Sequence, residues 1–209
     1  DNYRKHLYAP YKSTRKEKPE DFNFYFEEFI KTLNTNNIHY IFSKTLEAED
    51  SINLIVSSNL DVEFIIISED KDILQLKKYS NCNIYKRYNE FLEIPKYCNL
   101  SFKDPWFFEK YKLFFSLYGD SCDDIPGVAG LGPKKTNFIV DKVITYENLK
   151  TILRNENFDE LKKDTDKYSI HRCLELIKTY ENDLDISYKL FSLFENLEYR
   201  YDLSNLLIN

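Results

Sequence analysis

The sequence predicts an α/β domain with a mostly parallel sheet flanked by helices, followed by an all-helical region. Apolar runs alternate with segments of helical periodicity from about residue 39 to residue 87. The continuous run Phe64–Ile67 is rich in β-branched residues, as in buried parallel strands. From Asp104 onward the apolar spacing is helical. We expect residues 1–103 to form the α/β core and residues 104–209 to pack back on it as one compact unit.

The individual elements follow from local patterns. Asp21 can cap a helix that runs to about Asn34, because apolar residues recur there at helical spacing. We expect strands at 39–42, 64–67 and 82–85, with helices at 47–58 and 68–76 between them. In the second region we expect helices at 105–117, 134–142, 146–154, 170–180 and 186–193.

Composition narrows the class of protein. The 209 residues are 43% hydrophobic and 31% charged, which indicates an ordered globular protein. No stretch approaches the roughly 18 apolar residues of a membrane span, so we expect a soluble chain. The four cysteines include no Cys-x-x-Cys pair, which disfavours a zinc site and favours a reducing compartment. The chain contains no Met, and its opening residues predict a fragment or a processed form.

Charge is distributed unevenly along the chain. A net charge of -6 ordinarily counts against a nucleic-acid partner. The first eighteen residues are nevertheless basic and interleaved with tyrosines, a mixture suited to phosphates and stacked bases. This segment is either a nucleic-acid arm or a solvated basic surface. Its basic and aromatic members are Arg4, Lys5, Lys12, Arg15, Lys16, Lys18, Tyr3, Tyr8 and Tyr11.

Three clusters of carboxylates lie at 47–50, 70–72 and 120–124. The first two have ordinary structural interpretations, because acids are favoured in the first helical turn and Asp is a common N-cap. The first two also follow successive predicted strands, at the edge where open α/β sheets place their sites. Converging carboxylates suit Mg²⁺ or Mn²⁺, and two such ions about 4 Å apart support phosphodiester hydrolysis.

Three of the four glycines, Gly127, Gly130 and Gly132, fall within six residues and precede Lys134 and Lys135. Glycines let the backbone approach a ligand closely, and N–H groups at a helix start can bind phosphate. The segment is therefore a helix-hairpin-helix signature for the duplex backbone or, alternatively, an ordinary capping turn.

With these motifs in order, the chain resembles the 5′ nuclease family, which comprises the 5′-3′ exonuclease domain of bacterial DNA polymerase I, the phage 5′ exonucleases and the flap endonucleases. The matching motifs are residues 7–15, 47–50, 67–72 and 119–128. The resemblance implies a PIN-like nuclease core and a helix-hairpin-helix (H3TH) region. It also implies that residues 8–33 contribute to the arch or clamp that threads the 5′ strand.

The resemblance assigns roles residue by residue. Lys12 and Arg15 are expected to contact the scissile phosphate, and Tyr11 to stack on a base near the 5′ end. The hairpin, through its three glycines and two lysines, is expected to bind DNA and to hold a K⁺ ion. Two Mg²⁺ or Mn²⁺ ions are implied. The residues expected to ligate them are Glu47, Glu49, Asp70 and Asp72. Those expected to act as ligands directly or through water are Asp50, Asp120 and Asp123.

Two departures from the family pattern stand out. Bacterial and phage members usually show Glu-Ala-Asp-Asp where this chain has Glu-Ala-Glu-Asp at 47–50, a conservative change. The family's first strand, which carries an Asp ligand, has no counterpart here, and neither does a second upstream Asp. We therefore expect the chain as given to lack two ligands.

The leading hypothesis is a structure-selective, Mg²⁺-dependent 5′-3′ exonuclease or flap endonuclease. It would act as a monomer on DNA with 5′ flaps, branches or ends, in replication and repair. The alternative is a non-catalytic module that binds DNA junctions, and a related acidic-site ribonuclease is disfavoured by the hairpin. No membrane partner is expected. The compartment stays open between a phage or bacterial cytosol and an organelle of an AT-rich eukaryote.

Overall fold

A computed structural model describes residues 2–43, 45–87, 89–156 and 168–193. None of the helices within these ranges is long and apolar enough to cross a bilayer. In the α/β part the elements are α1 Tyr3–Leu7, α2 Phe22–Thr35, α3 Ala48–Ser58, β1 Phe64–Ile67, a 3₁₀ helix Lys71–Lys78, β2 Cys82–Arg87 and β3 Glu90–Phe91. In the helical part they are α4 Phe107–Tyr118, α5 Pro133–Val143, α6 Tyr146–Asn155, α7 Ile170–Thr179 and α8 Glu181–Phe191.

The sheet has the order β1-β2-β3 in the described residues. β1 and β2 are parallel, as predicted, and β3 adds an antiparallel edge. The prediction that β1 is buried on both faces is wrong, because Ile66 is buried whereas Ile65 and Ile67 are 70% and 68% exposed. The strand predicted at 39–42 is also absent, since no described strand pairs with this segment.

The helix predicted after β1 forms as a 3₁₀ helix. Asp70 occupies its N-cap, and its carboxylate accepts a hydrogen bond from the backbone N–H of Asp72 at 2.9 Å. Three apolar residues of this helix, Ile73, Leu74 and Leu76, are buried. The cap fixes the position of two acidic residues at the carboxyl end of β1, where the sequence predicted a site.

One hydrophobic cluster joins both parts of the chain, from Val56 in α3 to Leu193. At its centre the ring of Phe115 in α4 stacks on Phe191 of α8, with the ring centroids 4.9 Å apart. The hydroxyl of the buried Tyr111 donates to the carbonyl of Lys71 at 3.0 Å. Residues of the α/β part and of the helical part therefore share one hydrophobic core. The parts of the second predicted domain at 157–167 and 194–209 lie outside the described residues.

Helix α2 begins and ends close to its predicted bounds but buries none of its residues. The rings of Phe24, Tyr25 and Phe29 are more than half exposed. The helix follows the basic segment of residues 12–18, most of which is also exposed. Residues 12–18, called the basic arm below, and α2 are therefore largely exposed to solvent.

Candidate active site

Arg4 organises the first acidic cluster from inside the protein. Its side chain is only 2% exposed, and its two terminal nitrogens contact both oxygens of the fully buried Asp50. Its Nε donates to the carbonyl of Leu190 at 2.8 Å, and Nη1 lies 3.3 Å from Glu47 Oε2. Because Arg4 occupies the Asp50 carboxylate, the structure gives Asp50 a structural role and does not support the prediction that it ligates a metal.

Glu47 and Glu49 form a coupled pair at the start of α3. Glu47 accepts hydrogen bonds from Lys12 Nζ at 2.5 Å and from the Tyr11 hydroxyl at 2.9 Å. Burial alone would raise the pKa of Glu47, but hydrogen bonds from Glu49 and Lys12, with the charges of Lys12 and Arg4, lower it. Burial and the adjoining Glu47 charge raise the pKa of Glu49. The two carboxyl groups therefore oppose one another's ionisation.

The second and third acidic clusters meet at Lys71. Its Nζ lies 2.5 Å from Asp120 Oδ2 and 3.6 Å from Asp72 Oδ1. Burial, together with the charges of Asp70, Asp120 and Asp123, raises the pKa of Asp72 to about 7 against the opposing charge of Lys71. Asp72 Oδ1 is buried and has no hydrogen-bond partner. The site thus concentrates negative charge that one lysine does not fully neutralise.

The basic arm is fastened to the 120–124 loop by several contacts. The backbone N–H of Lys12 donates to the carbonyl of Asp123 at 3.0 Å, and Arg15 Nη2 contacts Asp123 Oδ1 at 2.5 Å. The backbone N–H of Thr14 donates to Asp124 at 2.9 Å, and its hydroxyl lies 3.0 Å from each oxygen of that carboxylate. Lys12 Nζ also lies 3.6 Å from Asp123, so it stands between Glu47 and Asp123. The arm therefore brings its cations to the acidic residues.

The site can be tested for its fit to a divalent cation. Its donors are carboxylate oxygens, which suit hard ions, and the orphaned oxygen of Asp72 is of the kind that a cation would satisfy. Within the described residues, however, no three acidic, His or Cys side chains converge closely enough to hold one ion. The ammonium groups of Lys12 and Lys71 lie among the carboxylates instead. The donor chemistry fits a metal, whereas the predicted ligands do not form a complete ligating group.

The glycine segment joins α4 to α5 as a loop of residues 119–132. Gly127 has φ of +60°, and a Cβ there would lie 2.5 Å from the backbone nitrogen of Gly119. Its N–H donates to Ser187 Oγ at 2.9 Å, which anchors the loop to α8. Gly132 has an ordinary extended conformation with open space around it, and it precedes α5. Gly127 therefore has a steric requirement for glycine that Gly132 lacks.

The residues predicted to contact DNA differ in their exposure to solvent. Lys134 and Lys135 are exposed in the first turn of α5, and Lys135 Nζ approaches the carbonyl of Gly130 at 3.5 Å. Tyr11 is only 2% exposed and its hydroxyl is bound to Glu47, so its ring has no free face on which a base could stack. The predicted stacking role of Tyr11 is therefore not supported.

Sequence reasoning missed Arg4 and Lys71 as members of the site. Arg4 was visible only as one of several basic residues near the start, and its partner Asp50 lies 46 residues away. Lys71 lies between two acids in the sequence, and that position was the one local signal of its role.

The known proteins that resemble this chain are 5′-3′ exonucleases and flap endonucleases. The family model for the 5′-3′ exonuclease N-terminal resolvase-like domain matches residues 1–112. A flap endonuclease Xni of Shewanella denitrificans is 32% identical over 160 residues, which cover 74% of this chain and 61% of that protein. A 5′-3′ exonuclease of Aquifex aeolicus is 27% identical over 198 residues, which cover 93% of this chain and 62% of that protein. The chain thus spans about three fifths of the length of these relatives.

Solved structures show the same fold. The 5′-exonuclease of bacteriophage T5 with bound divalent metal ions (zinc) superposes with a TM-score of 0.65 and 18% identity, covering 91% of this chain and 70% of that chain. The flap endonuclease of the same phage, in a pseudo-enzyme-product complex with DNA and metal ions, gives a TM-score of 0.64 at the same identity and coverage.

Proposed function

Because the chain belongs to the 5′-3′ exonuclease family, we propose that it is a metal-dependent 5′ nuclease that hydrolyses phosphodiester bonds in DNA with 5′ ends, flaps or branches. The observation that carries the proposal is that cationic side chains link the acidic clusters, since Lys12 contacts Glu47, Arg15 contacts Asp123 and Lys71 contacts Asp120. Relatives named flap endonuclease and 5′-3′ exonuclease support it.

We propose that Glu47, Glu49, Asp70, Asp72, Asp120 and Asp123 hold two divalent cations, Mg²⁺ or Mn²⁺. The orphaned oxygen of Asp72 and the raised pKa of its carboxyl support this, because a cation would relieve both. Bound there, the ions would lower the pKa of a water and stabilise the attacking and leaving oxygens of the phosphodiester.

Lys12 and Arg15 have a role that does not depend on how the metals are placed. Both are held by carboxylates now, at 2.5 Å from Glu47 and Asp123 respectively. An incoming phosphate competes with these carboxylates for the side chains of Lys12 and Arg15, which the basic arm already positions at the site. Cations fixed in place before the reaction stabilise the charge that develops on the phosphate at little reorganisation cost.

Gly127, Gly130, Gly132, Lys134 and Lys135 form the second part of the proposed DNA site. The two lysines are exposed beside the hairpin, where they can contact the phosphates of a duplex without reading its sequence. We further propose that the hairpin around Gly127, Gly130 and Gly132 would hold a K⁺ ion, whose positive charge would attract a DNA phosphate. Duplex binding at the hairpin would present the 5′ end of the DNA to the acidic site.

The decisive experiment is cleavage of a 5′-labelled flap duplex in Mg²⁺ and in EDTA, with DNA binding measured separately in Ca²⁺. The matched variants are Asp72→Asn and Glu69→Gln, because Glu69 is a neighbouring carboxylate that is exposed. We expect Mg²⁺-dependent 5′ products from the wild type and from Glu69→Gln, and none from Asp72→Asn. Undiminished cleavage by Asp72→Asn would overturn the proposed site.

The second candidate function is a non-catalytic module that binds DNA junctions. It is favoured by one observation, the lack of a complete three-ligand group in the described residues. Binding of the flap duplex in Ca²⁺ without any cleavage in Mg²⁺ or Mn²⁺ would select this function over the nuclease.

A further inference from the structure

A basic cleft lies beside the hairpin, between the first turns of α5 and α7. It has a volume of about 230 Å³ and is lined by Lys135, Tyr168, Ser169, Arg172, Cys173 and Leu176. No acidic residue lines it. The cleft is continuous with the hairpin, because Leu176 lies 3.3 Å from the position of a Cβ on Gly130 and Lys135 approaches the Gly130 carbonyl.

Two cations face this cleft without carboxylate partners. Neither Lys135 nor Arg172 forms an ion pair in the part of the chain that the structure describes. By contrast, two other lysines of the helical region are paired, since Lys110 lies 2.8 Å from Asp104 and Lys150 lies 2.9 Å from Asp185. In a chain of net charge -6, an acid-free cleft with two unpaired cations indicates an anionic ligand.

We propose that this cleft binds a backbone phosphate of duplex DNA and that Arg172 extends the hairpin's DNA contact on to α7. The inference rests on the proposed function for its ligand. Arg172 reaches the cleft from α7, whereas Lys135 reaches it from α5. Tyr168 packs edge-on against Phe138 of α5, with ring centroids 5.6 Å apart, which fixes the wall between the two helices. A guanidinium and an ammonium on opposite walls can hold one phosphate together.

The test is duplex binding in Ca²⁺ across a salt titration, by fluorescence anisotropy with a labelled duplex. The variants are Arg172→Ala and, as matched control, Arg154→Ala, an exposed arginine on α6 outside the cleft. A single phosphate contact contributes about 0.9 to the slope of log K against log salt. We expect Arg172→Ala to weaken binding about 8-fold near 0.1 M salt and to lower the slope by about 0.9, with no change in Arg154→Ala. Arg172→Lys should keep the slope.

Two results would overturn the inference. Equal affinity and slope in Arg172→Ala and Arg154→Ala would show that the cleft does not contact DNA, and an acidic protein segment would then be the better occupant. Weaker binding with an unchanged slope would indicate a structural effect. If the wild type itself binds no duplex, the proposed function fails. If the wild type binds and the two variants match it, only the inference about the cleft fails.

A different observation carries a second inference, about Asp124. This residue has φ of +56° and its carboxylate receives the backbone N–H and the hydroxyl of Thr14. The next contacts along the arm place Lys12 and Arg15 against Asp123. We infer that Asp124 is a positioning residue, which holds the turn of the arm so that Lys12 and Arg15 face the acidic site. It contacts neither of the two cations itself.

Asp124→Gly and Asp124→Asn separate the carboxylate from the backbone. Glycine keeps the left-handed conformation and removes the acceptor, whereas Asn keeps both the conformation and one oxygen. We expect Asp124→Gly to abolish hydrogen-exchange protection of the Thr14 amide and to slow single-turnover cleavage at saturating DNA about 10- to 100-fold. DNA affinity in Ca²⁺ should change less than about 3-fold, and Asp124→Asn should behave like the wild type.

Asp61→Gly is the control, because Asp61 is an exposed turn residue outside the site. Wild-type cleavage and Thr14 protection in Asp124→Gly would overturn the inference. A loss of affinity as large as the loss of rate would also overturn it, since that result indicates general damage to the arm. An inactive wild type with a protected Thr14 amide would instead count against the proposed function.

Discussion

Replacing Asp72 by Asn should change the pH dependence of stability in a defined direction. The pKa of Asp72 rises from a usual 3.8 to about 7 through burial and through the neighbouring charges of Asp70, Asp120 and Asp123. A carboxyl with a raised pKa stabilises the fold while it is protonated and destabilises it as pH rises towards the folded-state pKa. The metal-free protein should therefore lose this contribution between about pH 4 and pH 7.

The magnitude follows from linkage. A group with these two pKa values costs at most about 4 kcal/mol above pH 7, and about 2 to 3 kcal/mol of that cost develops between pH 5 and pH 8. Asn carries no charge, so Asp72→Asn escapes the cost. In EDTA, the free energy of unfolding of Asp72→Asn minus that of the wild type should be larger at pH 8 than at pH 5 by about 2 to 3 kcal/mol.

The assay is urea unfolding followed by circular dichroism at pH 5 and pH 8, with Glu69→Gln as control. Addition of Mg²⁺ at ten times its dissociation constant should stabilise the wild type by about 1.4 kcal/mol at pH 8, and the Asn variant by much less. A difference between wild type and Asp72→Asn that does not change with pH would show that Asp72 does not have a raised pKa, and an equal gain from Mg²⁺ in both proteins would show that Asp72 does not hold the ion.

Three other contacts of the structure each give a prediction about stability. Asp50→Ala should lower the free energy of unfolding by about 3 to 5 kcal/mol, because it removes the bidentate partner of the buried Arg4 guanidinium and leaves only the longer contacts to Glu47 and Glu49; chemical denaturation checks this, and a loss below about 1 kcal/mol would contradict it. Gly127→Ala should destabilise strongly because its Cβ would lie 2.5 Å from a backbone nitrogen, whereas Gly132→Ala should be near neutral; equal melting temperatures for the two variants would count against the packing described. Tyr11→Phe should lower the free energy of unfolding by about 1.5 to 3 kcal/mol, because it removes the hydrogen bond of the buried hydroxyl to the Glu47 carboxylate; urea unfolding checks this, and a free energy of unfolding equal to that of the wild type would count against this hydrogen bond.

Local patterns predicted much of the framework. The β-branched run at 64–67 correctly predicted β1, and the apolar spacing after Asp21 correctly predicted α2. Both could be predicted because each signal depends only on residues within one element. The run at 39–42 carries a similar local signal, but a strand also needs a hydrogen-bonded neighbour, which local sequence does not specify. The exposure of Ile65 and Ile67 likewise depends on what packs across the sheet.

The acidic residues could be predicted and their partners could not. The types and spacing of Glu47, Asp72 and Asp120 indicated carboxylates that come together. Arg4 bridges Asp50 and the carbonyl of Leu190, which is 186 residues away, so only the folded chain reveals this contact. Such long-range ion pairs decide which acids remain available to a ligand.

The most direct test of the central claim is cleavage of a 5′-labelled flap duplex by the protein in Mg²⁺, compared with EDTA and with Asp72→Asn. We expect short 5′ products that appear only with the metal and disappear in the variant. Binding of the duplex without metal-dependent products, or equal cleavage by Asp72→Asn, would contradict the claim that the acidic site hydrolyses DNA.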